Sequence, residues 1–428
     1  MAAAPPPPSK DTTLCKLPYD LQIMIRSLIP CSVDRGLTMS LVRREWRDMI
    51  HHHRVLRNPH RFPALPWLLL LTASAADGST DVACVLGGCP GIHRRCLTVD
   101  PPGARVFASH AGGWLLLHYR DGEARGNRAH NVRDGAVERL PAELLVSDGR
   151  RFPDMVVLAA ALSSPPDDAG CVAAARVAAL WPDPPTGAVP VPLRLRCLAF
   201  WRKGWELARE QAPPDASYLA LEVEHIVYHD GAFHMITHLD HVRVCKPTIE
   251  HQDGDGLSLS WTIRRFRPGD VIRDQCVRAR YLVVSRGKLL LVVRFTAEPD
   301  ESTSKFKVYR ETKPDVDVDD AAAAAKYGAV AEYSWAWREL ETLDGRILFV
   351  GQGCTRSYEV NQYPGLISEG IYFLDDGRFY NEQVILGVGN LRQYPCRDNG
   401  KWSPDEGIQR CFPEPQPSDH SPPAWLLP

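Results

Sequence analysis

The chain has 428 residues, of which 44% are hydrophobic and 24% are charged, the balance of an ordinary globular protein. Lys and Arg (50) nearly equal Asp and Glu (52), so no global field would attract nucleic acid or an anionic membrane. The longest dense apolar run, Trp67 to Leu71, falls far short of the roughly 20 residues that span a bilayer. We therefore predict no nucleic-acid partner and no membrane partner.

The twelve cysteines bear on the cellular compartment. The first residues, MAAAPPPPSK, contain no apolar stretch that could act as a signal peptide. We therefore expect an intracellular protein, in the nucleus or the cytoplasm, whose cysteines stay reduced and serve as small core residues.

The N-terminal region divides into a tail and a helical module. Residues 1–13 are rich in Ala and Pro and predict a disordered tail. In residues 14–60, apolar side chains recur at helical spacing, which predicts two short amphipathic helices separated by Pro30, with Asp20 and Asp34 in their first turns. The recurring positions are Leu17, Leu21, Ile25 and Leu28, then Leu37, Leu41, Val42, Trp46 and Met49. A module this small cannot fold alone, so we expect it to bind a partner protein.

From residue 61 onward, short apolar runs alternate with Gly, Asp, Asn and Pro, a pattern typical of strands and turns. Glycines that begin apolar runs recur every 55–61 residues, at Gly113, Gly170, Gly231, Gly287, Gly345 and Gly400. A unit of this size holds roughly four strands with their turns, the size of one propeller blade. We predict a mainly β fold: a small N-terminal α-helical module, then a C-terminal β-propeller of repeated four-stranded blades over residues 61–428. A β-sandwich with coincidental glycine spacing is the alternative.

Three segments refine this prediction. Residues 311–326, which include the run DVDVDDAAAAA, predict a disordered loop between strands. The apolar segment Pro66 to Leu71 could complete a terminal blade, which leaves the number of blades open. Near the C-terminus, Trp425, Leu426 and Leu427 follow a Pro-rich stretch and are expected to pack against the body of the domain.

Two clusters contain residue types that can bind metals. The first consists of His225, His229, His234, His238 and His241. It lacks a recognised zinc spacing, and surface histidines flanking a hairpin turn are the favoured interpretation. The second consists of Cys84, Cys89, His93 and Cys96, whose spacing does not match a zinc knuckle. The GxSxG, P-loop and GxGxxG motifs are absent. We therefore predict no catalytic, cofactor-binding or metal-binding residues, and no enzyme activity.

The helical module resembles the F-box, whose pattern is Leu-Pro, a helix with spaced aliphatic residues, and a second helix ending Val-Cys-Arg-x-Trp-Arg. The matching segments are Leu17 to Leu21 and Val42 to Arg47, with Arg43 where the family commonly has Cys. The remainder, from about Arg61 to Pro428, is similar to the KIB-type β-propeller domain of a large group of plant F-box proteins, a domain of unknown function. The segments that carry this second resemblance are Gly112 to Leu117, Trp337 to Leu340, Leu343 to Gly351, Tyr363 to Leu366 and Gly370 to Asp376.

The resemblance implies a substrate-recognition subunit of an SCF-type (Skp1-cullin-F-box) ubiquitin ligase. In such a protein the F-box docks on a Skp1-like adaptor and through it on cullin, while the propeller binds a target protein, here unknown. The residues implied in adaptor binding are Leu17, Pro18, Leu21, Ile25, Leu28, Val42 and Trp46. Ubiquitin transfer would occur on other subunits, so no cofactor is expected.

Two other functions stay open. Arg43 leaves room for a propeller scaffold with a degenerate F-box that does not dock on Skp1. A small-molecule enzyme or sensor that uses the central channel of the propeller is the third hypothesis, and an apolar-walled pocket with convergent charged groups would favour it.

Overall fold

The computed structural model describes residues 17–28, 64–71, 80–86, 92–95, 99, 103–121, 124–153, 155–180, 194–211, 223–250, 256–267, 276–298, 301–313, 335–376, 394–412, 417–419 and 421–428. The predicted tail over residues 1–13 and the predicted second helix lie outside these ranges. One helix, α1 (Tyr19–Leu28), precedes 27 strands in the described part of the chain. A one-turn 3-10 helix, Val360–Gln362, lies near the end of the domain. The described residues are therefore mainly β, as predicted.

The described strands form six sheets, which are the six blades of a β-propeller. Blade one joins the two ends of the domain: its sheet order is β27-β1-β2-β3. These strands are β27 (Ala424–Leu426), β1 (Trp67–Leu70), β2 (Thr80–Ala83) and β3 (Ile92–Arg95). β27 pairs antiparallel with β1, with Leu68 opposite Trp425. The segment at Pro66 to Leu71 thus does complete a terminal blade, and the C-terminal apolar residues close the ring.

Blades two, four and five are four-stranded antiparallel sheets in chain order. Blade two contains β4 (Arg105–His110), β5 (Trp114–Asp121), β6 (Ala124–Asn131) and β7 (Val137–Leu140). Blade four contains β14 (Val223–His229), β15 (Ala232–Thr237), β16 (Val242–Glu250) and β17 (Gly256–Arg264). Blade five contains β18 (Cys276–Ser285), β19 (Lys288–Thr296), β20 (Thr303–Thr312) and β21 (Ala336–Glu339), so β20 includes the first two residues of the predicted loop 311–326.

Blades three and six depart from the predicted four strands. Blade three has the order β10-β11-β12-β13-β8-β9, because a short preceding hairpin adds to its outer edge through parallel pairing of β8 with β13. Its strands are β8 (Glu143–Leu145), β9 (Arg151–Phe152), β10 (Met155–Leu162), β11 (Val172–Leu180), β12 (Arg194–Arg202) and β13 (Leu207–Glu210). Blade six has the order β23-β22-β24-β25-β26, with β22 parallel to β24. Its strands are β22 (Arg346–Val350), β23 (Arg356–Glu359), β24 (Gly370–Phe373), β25 (Gly400–Ser403) and β26 (Gly407–Gln409).

The glycine repeat predicted from the sequence falls at the same structural position, just before the second strand, in five of the six blades. Gly113, Gly170, Gly231 and Gly287 each precede the second strand of a blade, after its innermost strand. At Arg286-Gly287 both φ values are positive, at 50° and 69°, as the tight primed turn of a hairpin requires. Gly345 also precedes a second strand, β22, whereas Gly400 begins β25, the fourth strand of blade six. The prediction is wrong for Gly400 because blade six uses a different strand order.

Apolar runs without alternation form the second strands because these strands are covered on both faces. In β5, Leu115 and Leu117 face blade one, while Trp114 and Leu116 face blade three. Among the described residues, one apolar core fills each of the six interfaces between neighbouring blades. The ring is thus held by side chains that alternate between two neighbours along each strand.

Gly353 occupies a crowded position where blade six meets blade two, and the backbone N–H of Ser109 donates to its carbonyl (3.3 Å). Its φ is +63°, and a Cβ here would lie 2.5 Å from the Phe107 carbonyl oxygen and 2.7 Å from the Ala108 Cβ. We expect Gly353→Ala to lower the free energy of unfolding by about 2–4 kcal/mol through overpacking and backbone strain. Urea unfolding followed by tryptophan fluorescence measures this change.

Gly365 provides the matched control. Its φ is +72°, but a Cβ added there would have nothing within 4 Å of it, so alanine adds strain without a clash. We expect Gly365→Ala to cost only about 1 kcal/mol. Equal losses in the two variants would show that Gly353 is not held by close contact between the blades.

Candidate functional site

The helix α1 begins directly after the sequence Leu17-Pro18, and both residues hydrogen-bond to its first turn. The Pro18 carbonyl accepts hydrogen bonds from the backbone N–H groups of Leu21 (3.0 Å) and Gln22 (3.1 Å). The Gln22 side chain donates to the Leu17 carbonyl at 2.9 Å, which fixes the chain just before the helix. Asp20 lies in the first turn, as predicted, where a carboxylate is favourable. A proline at the entry thus fixes the start of a ten-residue helix.

The residues implied in adaptor binding fall partly on this helix. The Leu21 side chain is 39% exposed, although leucine is an apolar residue that is usually buried. Leu17 and Ile25 are half-buried and Pro18 is exposed. Leu28 ends the helix, while Val42 and Trp46 lie outside the described residues. The described part of the predicted site is therefore a short helix with exposed apolar surface.

An ion network lies between blades five and six, and Arg294 is at its centre. The Arg294 side chain is fully buried and donates to the Asp398 carboxylate (2.7 Å) and to the Leu374 carbonyl (2.7 Å). Its guanidinium is also 3.3 Å from the Asp376 carboxylate and lies over the Phe373 ring. This cation therefore links strand β19 to two separate segments of blade six.

The carboxylates of this network have unlike pKa values. Burial alone would raise the pKa of Asp398, but Arg294 and the Thr303 hydroxyl hold it at about 2. Burial raises the pKa of Asp376 above its usual value despite the nearby Arg294. Asp376 accepts from the Tyr281 hydroxyl (3.0 Å) and from the backbone N–H of Gln352 (3.0 Å). Since every one of these groups is paired and buried, the network suits a structural role better than a catalytic one.

The sequence gives only a weak indication of this network. Asp375 and Asp376 lie within the family-like segment that ends at Asp376, and no role follows from their position there. Arg294 is a charged residue in the middle of a strand whose two faces are otherwise apolar, and that is the signal that could have found it. No spacing in the sequence could have named its partners, which lie 82 and 104 residues away.

A second ion network joins blade four to blade five. Arg280 donates to Glu224 (2.9 Å) and to Asp240 (2.6 Å). The Arg176 side chain of blade three donates to the Glu224 carbonyl at 2.9 Å. Burial raises the pKa values of both Glu224 and Asp240, against the effect of Arg280. This cluster therefore also links neighbouring blades through charges that are largely removed from water.

The predicted surface histidine cluster is not at the surface throughout. His225 is 1% exposed, accepts from the Leu282 backbone N–H (3.3 Å), and has a pKa lowered by burial to about 3. His234 is 3% exposed, and burial together with Arg264 lowers its pKa to about 4. The surface prediction is therefore wrong for these two residues, because β14 and β15 are covered by neighbouring blades. The hairpin turn itself, at Asp230-Gly231, is present.

Metal-binding clusters are absent from the part of the chain that the structure describes. Cys84 is half-buried and forms no disulfide within the described residues, whereas Cys89 and Cys96 lie outside the described ranges. The described residues also contain no helix long and apolar enough to cross a membrane.

A cavity of about 200 Å³ opens at the centre of the ring. All six blades contribute to its wall, from Leu427 of blade one to the segment Gly353 to Arg356 of blade six. The polar side chains in the wall are Ser109, His110, Ser163, Tyr228, Thr355 and Arg356, with the Cys354 thiol beside them. The rest is mostly aliphatic, including Leu162, Ile226, Val227 and Val284. Small-molecule sites are commonly concave with a few converging polar groups, and this cavity has both features.

A wider groove of about 660 Å³ lies between blades four and five. Trp335 forms part of its wall, with the Arg264 guanidinium 4.8 Å and the Lys313 ammonium 5.1 Å from the ring centre. Arg264 also pairs with Glu311 at 2.7 Å. Lys288 and Arg310 add further positive charge to the groove. An open surface with an aromatic ring and several cations suits contact with another protein.

The fold and these sites define a six-bladed β-propeller built from one chain and closed by its own C-terminal strand. Residues 90–396 match the family model described as KIB1-4 beta-propeller, which is more than two thirds of the chain. The protein belongs to that family. No curated protein matches the chain. The resemblance of the propeller to the KIB type is thus confirmed, and the F-box remains a prediction.

Proposed function

We propose that this protein is the substrate-recognition subunit of an SCF-type ubiquitin ligase. Its N-terminal module would dock on a Skp1-like adaptor and through it on cullin, and its propeller would hold a target protein. The observation that carries the proposal is α1, which starts at the Leu-Pro sequence and has the Leu21 side chain 39% exposed. Exposed apolar residues at helical spacing are the usual anchors of a helix that binds in a partner's groove.

The propeller supports the second half of the proposal. Its six interblade cores and two buried ion networks make a rigid body, so its surface is organised before a partner arrives. The groove at Trp335 and the central cavity are concave surfaces on that body. In this proposal the chain contributes binding and orientation, and the transfer of ubiquitin takes place on other subunits.

The test is co-purification with a Skp1-like adaptor. We expect wild type to bind and Leu21→Asp to bind at least tenfold more weakly, because burying a leucine is worth about 1.5–3 kcal/mol and a carboxylate would resist desolvation. Trp46→Ala should weaken binding similarly, since tryptophans are frequent hot spots at interfaces. Surface plasmon resonance with immobilised adaptor measures both changes.

Leu239→Asp is the matched control, because Leu239 is 51% exposed and lies in the propeller. It should bind the adaptor as wild type does. Equal adaptor binding by Leu21→Asp and Leu239→Asp would contradict the proposal, as would a wild-type chain that does not bind at all.

A propeller scaffold with a degenerate F-box is the second candidate, and Arg43 supports it, since the family commonly has Cys there. A wild-type chain that captured a specific partner through residues 61–428 but did not bind the adaptor would favour this candidate.

A further inference from the structure

The central cavity has an unusual balance of charge. Of the described residues that line it, only Arg356 carries a full charge near neutral pH, because burial and then repulsion by Arg356 lower the pKa of His110 to about 4. Burial also raises the pKa of the Cys354 thiol to about 11, so this group stays neutral. Among the described residues, no Asp or Glu lines the cavity. The wall therefore carries one net positive charge.

Arg356 is half-buried, and the one hydrogen bond that its guanidinium makes to the described residues is a long contact of 3.4 Å with the Thr355 carbonyl. Within the described part of the chain, no carboxylate lies within 4.0 Å of its guanidinium. Asp167 attracts the proton of His110, but it is not among the residues of the wall. Arg356 differs in this respect from the arginines of the two ion networks, because Arg294 and Arg280 each pair with two carboxylates. Arg356 is thus a cation with unused donors beside a cavity.

The cavity also has donors and walls for a specific kind of molecule. The Ser163 hydroxyl oxygen accepts from the Val172 backbone N–H (2.9 Å), which leaves its O–H available to donate. The cavity volume of about 200 Å³ equals that of about seven water molecules at roughly 30 Å³ each. The half-buried side chains of Ala161 and Val284 would contact an apolar body of a few carbons, and in a partly enclosed cavity a charge-assisted hydrogen bond to Arg356 is stronger than in water.

We propose that the mouth of the central channel binds a carboxylate that carries a short apolar body, with the carboxylate on Arg356 and the body against Ala161 and Val284. The carboxylate could belong to a free organic acid or to an acidic side chain of a bound peptide. Binding at this site does not depend on docking of the N-terminal helix.

Isothermal titration calorimetry on the full chain tests this site with three probes. The first is 3-methylbutanoate, the second is its neutral counterpart 3-methyl-1-butanol, and the third is the capped peptide acetyl-Ala-Glu-Ala-amide. We expect at least one carboxylate probe to bind at least tenfold more tightly than the alcohol, since the alcohol cannot form the ionic pair. Binding of the free acid alone identifies a small-molecule site, and binding of the peptide alone identifies a site for an acidic side chain.

Two arginine variants make the test specific. Arg356→Leu should weaken the carboxylate at least tenfold, while Arg356→Lys should retain part of the affinity because it keeps the charge but loses the two-pronged geometry. Arg338→Leu is the matched control, since Arg338 is exposed on β21 and the change removes the same charge. Circular dichroism confirms that each variant is folded.

Three outcomes would overturn the inference. They are the absence of binding by both carboxylate probes, equal binding of the acid and the alcohol, and an unchanged affinity in Arg356→Leu. None of these outcomes bears on adaptor binding, which is measured separately with Leu21→Asp.

Discussion

Replacing Arg294 by methionine is expected to lower the free energy of unfolding by about 3–5 kcal/mol, because the change takes the paired cation from the buried Asp376 carboxylate. Asp398 also loses Arg294 but keeps Arg278 (3.3 Å) and Arg410 (2.8 Å). The Arg294 side chain is 0% exposed, and the carboxylates of Asp376 and Asp398 are 4% and 6% exposed. Neither carboxylate can reach much water to replace the lost partner. Chemical denaturation monitored by fluorescence, with the slope compared between variants, measures the loss.

Arg286→Met is the matched control, since Arg286 also pairs with two carboxylates, those of Asp344 (2.5 Å) and Glu359 (2.6 Å). The Arg286 side chain is 42% exposed, so water screens these pairs and we expect a loss of at most about 1 kcal/mol. A double variant, Arg294→Met with Asp376→Asn, should recover part of the stability because it removes the unpaired Asp376 charge together with the arginine. If Arg294→Met lost no more unfolding free energy than Arg286→Met, the buried network would not be essential for stability.

The architecture was largely predictable from the sequence because each blade repeats the same local signals. The turn at Asp230-Gly231 needs residues that tolerate positive φ, and an apolar second strand follows it at Ala232. The same signals stand at Arg286-Gly287 and at Asp344-Gly345, so local chemistry identified the repeat. The strand order of blade six could not be predicted, because its parallel pairing of β22 with β24 brings together residues on either side of β23.

The candidate sites were less predictable, for a different reason. The exposed face of α1 follows from spacing within ten residues, so a single sequence contains it. The cavity is assembled from all six blades, and His110 and Arg356 come from strands that are far apart in the chain. Only closure of the ring brings such residues together. A charge at the end of an innermost strand, as at Arg356, is the available signal, and many such charges simply face water.

Closure of the ring leads to the second large prediction, for Trp425. This residue is 0% exposed, its indole N–H donates to the Val350 carbonyl (3.0 Å), and its ring packs edge-on against Phe349 at 5.1 Å. β27 thus links blade one to blade six with its central side chain. We expect Trp425→Ala to cost about 3–5 kcal/mol through the cavity that it leaves, with further loss from the unpaired carbonyl. Chemical denaturation measures this change as well.

Trp261→Ala is the control that separates the closure of the propeller from the simple loss of a large aromatic side chain. Trp261 is half-buried on β17, the outermost strand of blade four, and packs on Phe200 at 5.8 Å. The loss of unfolding free energy in Trp261→Ala should be smaller than in Trp425→Ala. The structural effect should be confined to one side of the propeller. Hydrogen exchange should then rise in β1 and β27 of Trp425→Ala, because local opening begins where the two ends of the domain meet. If both variants lost equal stability and β1 exchanged as in wild type, pairing of the two chain ends would not be what keeps the propeller closed.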